Sequence, residues 1–125
     1  MPHLLLVMLG GAIGAALRYL VGLAALRGLG PDYPWGTLIV NLTGGLLMGL
    51  LAGILARGGG GNEGLRAFVG VGILGGFTTF SAFSLETANM IERGQLLGAA
   101  GYSLASLVGA VAMLFLGLFM ARAAA

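Results

Sequence analysis

The residues best suited to chemistry lie in one short segment, GGFTTFSAFSLE, at residues 75–86. Phe77, Phe80 and Phe83 recur every three residues, and a hydroxyl residue follows each of them directly. At helical spacing these residues form an aromatic row beside a hydroxyl row. Because ring edges are electropositive and hydroxyls donate hydrogen bonds, the two rows predict a weak, uncharged surface for a small anion. Ordinary helix packing is the alternative interpretation of the aromatic row.

The composition places this segment in a membrane. Of 125 residues, 58% are hydrophobic and only 8% are charged, whereas about a quarter of the residues of a soluble domain are charged. The net charge of +2 is spread along the chain, which argues against a nucleic-acid partner. The absence of cysteine excludes disulfides and thiolate chemistry, and the only histidine is His3. We therefore expect an all-α integral membrane protein whose surroundings are the lipid bilayer.

Four apolar segments account for almost the whole chain, which predicts one four-helix membrane domain over residues 1–125. Each segment exceeds the roughly 20 residues that a helix needs to cross a bilayer. Short connections rich in glycine, proline and charged residues separate the segments. The predicted transmembrane helices cover residues 4–26, 35–56, 65–90 and 96–121.

The third segment contains signals for a helix break. Four glycines lie in its first half, at positions 70, 72, 75 and 76, and each costs about 1 kcal/mol of helix stability relative to alanine. Thr78 and Thr79 follow, and their hydroxyls can bond the carbonyls that a break releases. We predict a break near residues 75–79, with a kinked but continuous helix as the alternative. A broken helix within a membrane must be buried or line a cavity.

Several polar residues within the predicted helices have two interpretations each. Arg18 either extends its side chain to the membrane surface or lines an aqueous vestibule that attracts anions. Asn41 either forms hydrogen bonds between helices, near Thr43, or donates to an aqueous path. Glu86 either anchors its helix or accepts from a hydroxyl network. On the fourth segment, Tyr102 shares a face with a serine four residues later, which suits either a polar path or helix contacts.

The arginines barely specify an orientation in the membrane. Four crossings place Arg57, Arg66 and Arg122 on one side, and Arg27 and Arg93 on the other. Orientation normally follows an excess of basic residues in cytoplasmic loops. The near balance predicts that the chain inserts in both orientations and pairs as an antiparallel homodimer.

Three stretches resemble the Fluc, or CrcB, family of fluoride channels: the segment at 75–86, GGAIGAALRY at 10–19 and GTLIVNLTGG at 36–45. The resemblance covers essentially the whole chain, and the motif of the third segment is highly specific. It implies a non-enzymatic channel for passive fluoride export across the cytoplasmic (inner) membrane. It also implies an antiparallel, dual-topology homodimer with two fluoride pathways, in agreement with the arginine count.

The resemblance also assigns roles to individual residues. It makes Phe80 and Phe83, but not Phe77, the aromatic residues of the pore, and it makes Asn41 a donor to fluoride. Arg18 matches an arginine near a vestibule. The backbone carbonyls of two residues, Gly75 and Thr78, would hold a structural sodium ion at the dimer axis. The expected members of the polar track along the pore are Thr79, Ser81, Tyr102 and Ser106. Alanine occupies position 110, so the hydroxyl track on the fourth helix is short.

Two other membrane functions fit the sequence less well. A small multidrug exporter needs a membrane-buried carboxylate to couple drugs to protons, and the first three segments contain no acidic residue before Glu86. A subunit that only packs against other helices would explain the glycines. It would leave Asn41 and the aromatic and hydroxyl rows without a role.

Overall fold

The computed structural model describes residues 2–57 and 63–124, and every regular element in these ranges is a helix. Helix α3 runs continuously over residues 63–77 and contains a wide π-helical stretch, Arg66–Leu74. The other helices are α1 (Pro2–Leu29), α2 (Trp35–Arg57), α4 (Ser81–Glu92) and α5 (Leu96–Ala123). The predicted all-α class is confirmed.

Four helical stretches are long and apolar enough to cross a membrane: α1, α2, the pair α3–α4 and α5. Helices suit this setting because they satisfy their backbone hydrogen bonds internally, without water. Large apolar side chains are exposed along all four stretches, including Leu9 in α1 and Leu107 in α5. Lipid or another protein surface must cover these faces in a membrane.

Glycine and proline set the helix ends at one side of the bundle. Gly30 and Gly94 are the only glycines with positive φ in the described ranges, at 86° and 80°. A left-handed residue ends a helix, and glycine takes that conformation without a steric penalty. Gly30 thus stops α1, and Pro34 directly precedes α2, where its carbonyl accepts from the Leu38 N–H at 3.2 Å. The turn between α1 and α2 is consequently short and has little freedom.

Helices α2 and α5 form the most extensive contact, followed by α1 and α3. Gly49 of α2 lies so close to α5 that an added Cβ atom would overlap the Leu114 carbonyl oxygen. A Cβ atom on Gly45 would lie 2.7 Å from the Ala110 carbonyl oxygen. Small residues that allow such an approach gain dispersion contacts in lipid, where no hydrophobic effect drives helices together. This contact fixes α5 against the face of α2 that carries Asn41.

The π-helical stretch of α3 was not predicted from the sequence. Gly70 and Gly72 are buried within it, and a Cβ atom on Gly72 would lie 3.0 Å from the Cα atom of Gly10 in α1. Such wide turns cost stability in an isolated helix and often lie beside functional sites. Here the stretch leads directly into the point at which the third membrane span is interrupted.

Candidate functional site

The third membrane span leaves the helical path between α3 and α4. Thr78 has φ −83° and ψ 158°, which is an extended conformation. The interruption covers residues 78–80, within and directly after the range 75–79 in which the glycines and threonines predict it. The Thr78 hydroxyl donates to the Leu74 carbonyl at 3.0 Å, so the threonine takes up a carbonyl of the preceding turn. The remaining backbone groups near the interruption need partners from elsewhere.

Asn41 supplies two of these partners. Its Nδ2 donates to the Thr79 carbonyl at 3.1 Å, and its Oδ1 accepts from the Thr79 N–H at 3.0 Å. The side-chain amide thus pairs with a backbone amide as a neighbouring strand would. The structure thus shows Asn41 bonded to the backbone of the interruption, and its role as a donor to an aqueous path stays a prediction. One N–H of the Asn41 amide stays outside this pair, because an NH₂ group has two donors.

Arg18 reaches the same interruption from α1. Its Nε donates to the Gly76 carbonyl at 3.1 Å, across 58 positions of sequence. The half-buried guanidinium is therefore directed at the end of α3, where carbonyls carry partial negative charge. Neither interpretation of Arg18 included a hydrogen bond to Gly76. The role of Arg18 in a vestibule stays a prediction.

An open cavity of about 620 Å³, the central cavity, lies at the surface of the single chain beside the interruption, and exposed side chains such as Phe80 and Leu107 line it. Six of the predicted site residues line it: Asn41, Thr78, Thr79, Phe80, Phe83 and Ser106. No charged side chain belongs to its lining, as far as the described residues extend. The cavity is apolar overall, with an amide and a few hydroxyls as its hydrogen-bonding groups. Such a surface can replace part of an anion's water shell without holding the anion as tightly as a cationic side chain would.

The Ser106 hydroxyl is a buried hydrogen-bond donor on the wall of this cavity. The residue is only 7% exposed, and its Oγ has no hydrogen-bond partner among the described residues. A buried hydroxyl without a partner costs free energy and calls for an explanation. Ala110, one turn further along α5, also lines the cavity. Because alanine carries no hydroxyl, Ser106 is the last hydroxyl residue on α5, and the hydroxyl track itself stays a prediction.

The three phenylalanines of the motif lie in different surroundings. Phe80 and Phe83 line the cavity with ring centroids 5.6 Å apart and planes tilted by 44°. Phe80 is 78% exposed in the single chain, whereas Phe77 is buried and does not line the cavity. This separation agrees with the choice of Phe80 and Phe83 over Phe77 that the resemblance implies. Their role toward an ion stays a prediction.

Tyr102 and Glu86 form a pair next to the cavity. The fully buried Tyr102 donates its hydroxyl to Glu86 Oε1 at 3.1 Å. Its ring lies 5.2 Å from that of Phe83, centroid to centroid. Glu86 therefore accepts from a hydroxyl, which is one of the two roles that the sequence left open. Tyr102 does not line the central cavity itself.

Comparison with known proteins shows the family of this chain. The family model described as CrcB-like protein, Camphor Resistance (CrcB), matches residues 5–118. The chain belongs to the CrcB family. Relatives named "Fluoride-specific ion channel FluC" occur in Mesorhizobium japonicum (58% identity), Caulobacter sp. (59%) and Phenylobacterium zucineum (61%). The matches cover 98% of this chain and 98%, 96% and 97% of those relatives, respectively. The relatives are named as a channel and not as an enzyme, as the sequence predicted.

The other predicted site residues of this CrcB chain lie outside the cavity lining. Ser81 is exposed, and its Oγ lies 3.4 Å from the Thr79 hydroxyl. That Thr79 hydroxyl also accepts from the Ala82 N–H at 3.1 Å, which caps the start of α4. Gly75 is exposed at the surface of the single chain. Because the Thr79 N–H donates to Asn41, it is not available to the Gly75 carbonyl four residues earlier.

Several lining residues were not predicted from the sequence. They extend the cavity along α2 and α5 and comprise Gly44, Gly45, Met48, Leu107, Ala110, Val111 and Leu114. Their helical spacing from Asn41 and Ser106 could have predicted them. Gly45 and Met48 lie about one and two turns after Asn41, and Ala110 and Leu114 lie at the same spacing after Ser106. Ser103 faces the cavity beside Ser106 and adds a second hydroxyl on α5.

Proposed function

We propose that this protein is a fluoride-specific ion channel that lets fluoride leave the cell passively. The observation that carries the proposal is the central cavity, which brings together an amide, two aromatic rings and a buried hydroxyl. Among the described residues, that hydroxyl has no hydrogen-bond partner and no charged side chain lines the cavity. The family membership supports it, because relatives that match 98% of the chain are named fluoride-specific ion channels. No enzymatic step is needed for this function.

The chemistry of fluoride suits these groups. Fluoride is small and strongly hydrated, so a pore must offer donors in place of its water shell and still release it. In the proposed path, the second N–H of Asn41 and the Ser106 hydroxyl donate to the ion. The ring edges of Phe80 and Phe83 add weak positive potential. Thr79, Ser81 and the Tyr102 hydroxyl support the polar track on either side of these contacts, and Arg18 attracts anions toward one mouth.

We further propose that the working unit is an antiparallel, dual-topology homodimer with two fluoride pathways. The 78% exposure of Phe80 supports this assembly, because a ring that lines the cavity would otherwise face lipid beside polar groups. The arginine balance of three against two also supports it. Reporters fused to the C-terminus test the topology, since dual insertion yields signals from both membrane faces. A signal from one face only would overturn this part of the proposal.

A structural sodium ion at the dimer axis completes the proposed assembly. The backbone carbonyls of Gly75 and Thr78 from both subunits would hold it, since hard cations prefer oxygen ligands. The residues fit this role, because the Gly75 carbonyl lacks the Thr79 N–H as a partner and Thr78 is extended. When bound, the ion would supply positive charge between the two interruptions. Replacing sodium with N-methyl-D-glucamine should lower the thermal stability of the purified dimer. Unchanged stability would argue against the ion.

The decisive experiment measures fluoride efflux from liposomes that contain the purified protein. We expect rapid fluoride release and little chloride release. Phe80→Ala should reduce fluoride release strongly, whereas Phe119→Ala should not. Phe119 is a matched control because it is 67% exposed and does not line the cavity. Absence of fluoride release from a folded dimer would refute the channel. Fractionation of expressing cells tests the proposed location in the cytoplasmic (inner) membrane.

A further inference from the structure

The turn between α1 and α2 holds an aromatic side chain in a fixed place. Tyr33 lies between Pro31 and Pro34, and its carbonyl accepts from the Trp35 N–H at 2.8 Å. Gly30 begins the turn with a positive φ. Prolines restrict the backbone to few conformations, so the direction of the Tyr33 side chain is well defined. The residue is half-buried although it belongs to a connection between helices.

Tyr33 is part of a continuous row of rings from this turn to the interruption. Its ring lies 4.6 Å from that of Trp35 and 5.5 Å from that of Tyr102, the latter in an edge-to-face arrangement at 86°. Tyr102 contacts Phe83, and Phe83 contacts Phe80. Edge-to-face pairs have a preferred geometry. The row therefore links a turn outside the membrane spans to the two rings of the central cavity.

A second cavity lies on the other side of Tyr33. This loop cavity, of about 270 Å³, is lined by the turn, by the end of α1 and by Glu86, its only charged lining residue in the described ranges. Tyr33 lines it too, whereas Tyr102 does not. The Tyr33 ring thus separates open space from the fully buried Tyr102. Without that ring, Tyr102 would lose the side chain that packs against it on the side of the loop cavity.

We propose that Tyr33 is a positioning residue whose ring holds the Tyr102 hydroxyl on Glu86. This inference rests on the proposed channel function and extends the fluoride site to a residue outside the membrane spans. Burial raises the pKa of Tyr33, so its hydroxyl stays neutral and adds no negative charge near Glu86. The ring supplies the contact with Tyr102, and the Tyr33 hydroxyl is not required for it.

Fluoride efflux from liposomes tests the inference with two substitutions of Tyr33. Tyr33→Phe keeps the ring and should transport fluoride as the wild type does. Tyr33→Leu removes the aromatic contact and should lower the initial rate about three- to ten-fold, the size of effect that loss of one aromatic pair and a misaligned hydroxyl gives. Equal rates for Tyr33→Leu and the wild type would overturn the inference while leaving the channel function intact.

A double-substitution cycle separates positioning from general packing. In a Tyr102→Phe background there is no hydroxyl to hold, so adding Tyr33→Leu should reduce the rate no further. If the fold-reduction in rate of the double variant equals the product of the two single reductions, Tyr33 acts independently of the Tyr102 hydroxyl. That result would overturn the proposal.

A spectroscopic readout makes the test independent of transport. The chain has three tyrosines, Tyr19, Tyr33 and Tyr102, so NMR of protein labelled with ¹³Cζ-tyrosine gives three signals that Tyr→Phe variants assign. Tyr33→Leu should shift the Tyr102 signal, while Tyr33→Phe and the exposed control Tyr19→Phe should not. An unmoved Tyr102 signal in Tyr33→Leu would overturn the inference. This result stands even if the wild type does not conduct fluoride.

Discussion

Replacing Asn41 with leucine should destabilise the protein and abolish fluoride transport. Leucine has nearly the same size but removes both hydrogen bonds to Thr79, at 3.0 and 3.1 Å. The Thr79 N–H and carbonyl then lose their partners in an apolar setting, and each costs about 1–3 kcal/mol. The expected loss is therefore about 2–6 kcal/mol, concentrated at the interruption between α3 and α4. Thr43→Val is the matched control, because Thr43 is on the same helix and does not line the central cavity.

Asn41→Asp tests stability and transport at the same position. The carboxylate still accepts from the Thr79 N–H, but its second oxygen faces the Thr79 carbonyl oxygen and its charge is buried, so this variant should be destabilised as well. Its negative charge in the cavity should block anions even if the protein folds. Chemical unfolding in detergent measures the first effect, and fluoride efflux measures the second. Wild-type stability of Asn41→Leu would refute the view that this amide holds the interruption in place.

Three further predictions concern the surroundings of the site. Gly44→Ala should lower fluoride flux, because its Cβ atom would overlap the Thr78 methyl group, whereas Gly28→Ala meets no atom within 4 Å and should leave flux unchanged. Gly49→Val should prevent stable folding by forcing α2 away from the Leu114 carbonyl of α5, which size-exclusion chromatography would detect; a well-folded variant would contradict the close contact. Because burial raises the pKa of Tyr33, the unfolded chain loses this proton first, so stability should fall as pH rises above about 10. The part of this loss that Tyr33 causes should be absent from Tyr33→Phe, which thermal unfolding at different pH values would measure.

The sequence predicted the features that depend on local chemistry. Continuous apolar stretches of sufficient length predict the all-α architecture with four candidate membrane spans, which is confirmed. Gly75 and Gly76 weaken the helix, and Thr78 can bond a carbonyl of the preceding turn, so the position of the interruption follows from residues within a few places of it. The lining positions of α2 and α5 also follow from helical spacing once Asn41 and Ser106 are chosen.

The partners of the polar residues could not be predicted, because they depend on how the helices pack. Asn41 bonds Thr79, 38 positions away, although Thr43 is its nearer hydroxyl neighbour in sequence. Arg18 bonds Gly76 across 58 positions. Many sequences with one arginine in the first helix would direct it to the membrane surface instead. The π-helical stretch was not predicted either, and it lies where Gly72 of α3 closely approaches Gly10 of α1.

The hydrogen bonds divide the polar residues of the site into two groups. Arg18 and the Thr79 hydroxyl bond backbone groups, so part of their hydrogen-bonding capacity holds the interruption in place. Ser106 has no partner among the described residues, and Asn41 keeps one N–H outside its pair with Thr79. Because an ion that loses its water must gain donors, these two groups are the ones that fluoride would bind in the central cavity. Loss of Ser106 should therefore slow transport with little loss of stability.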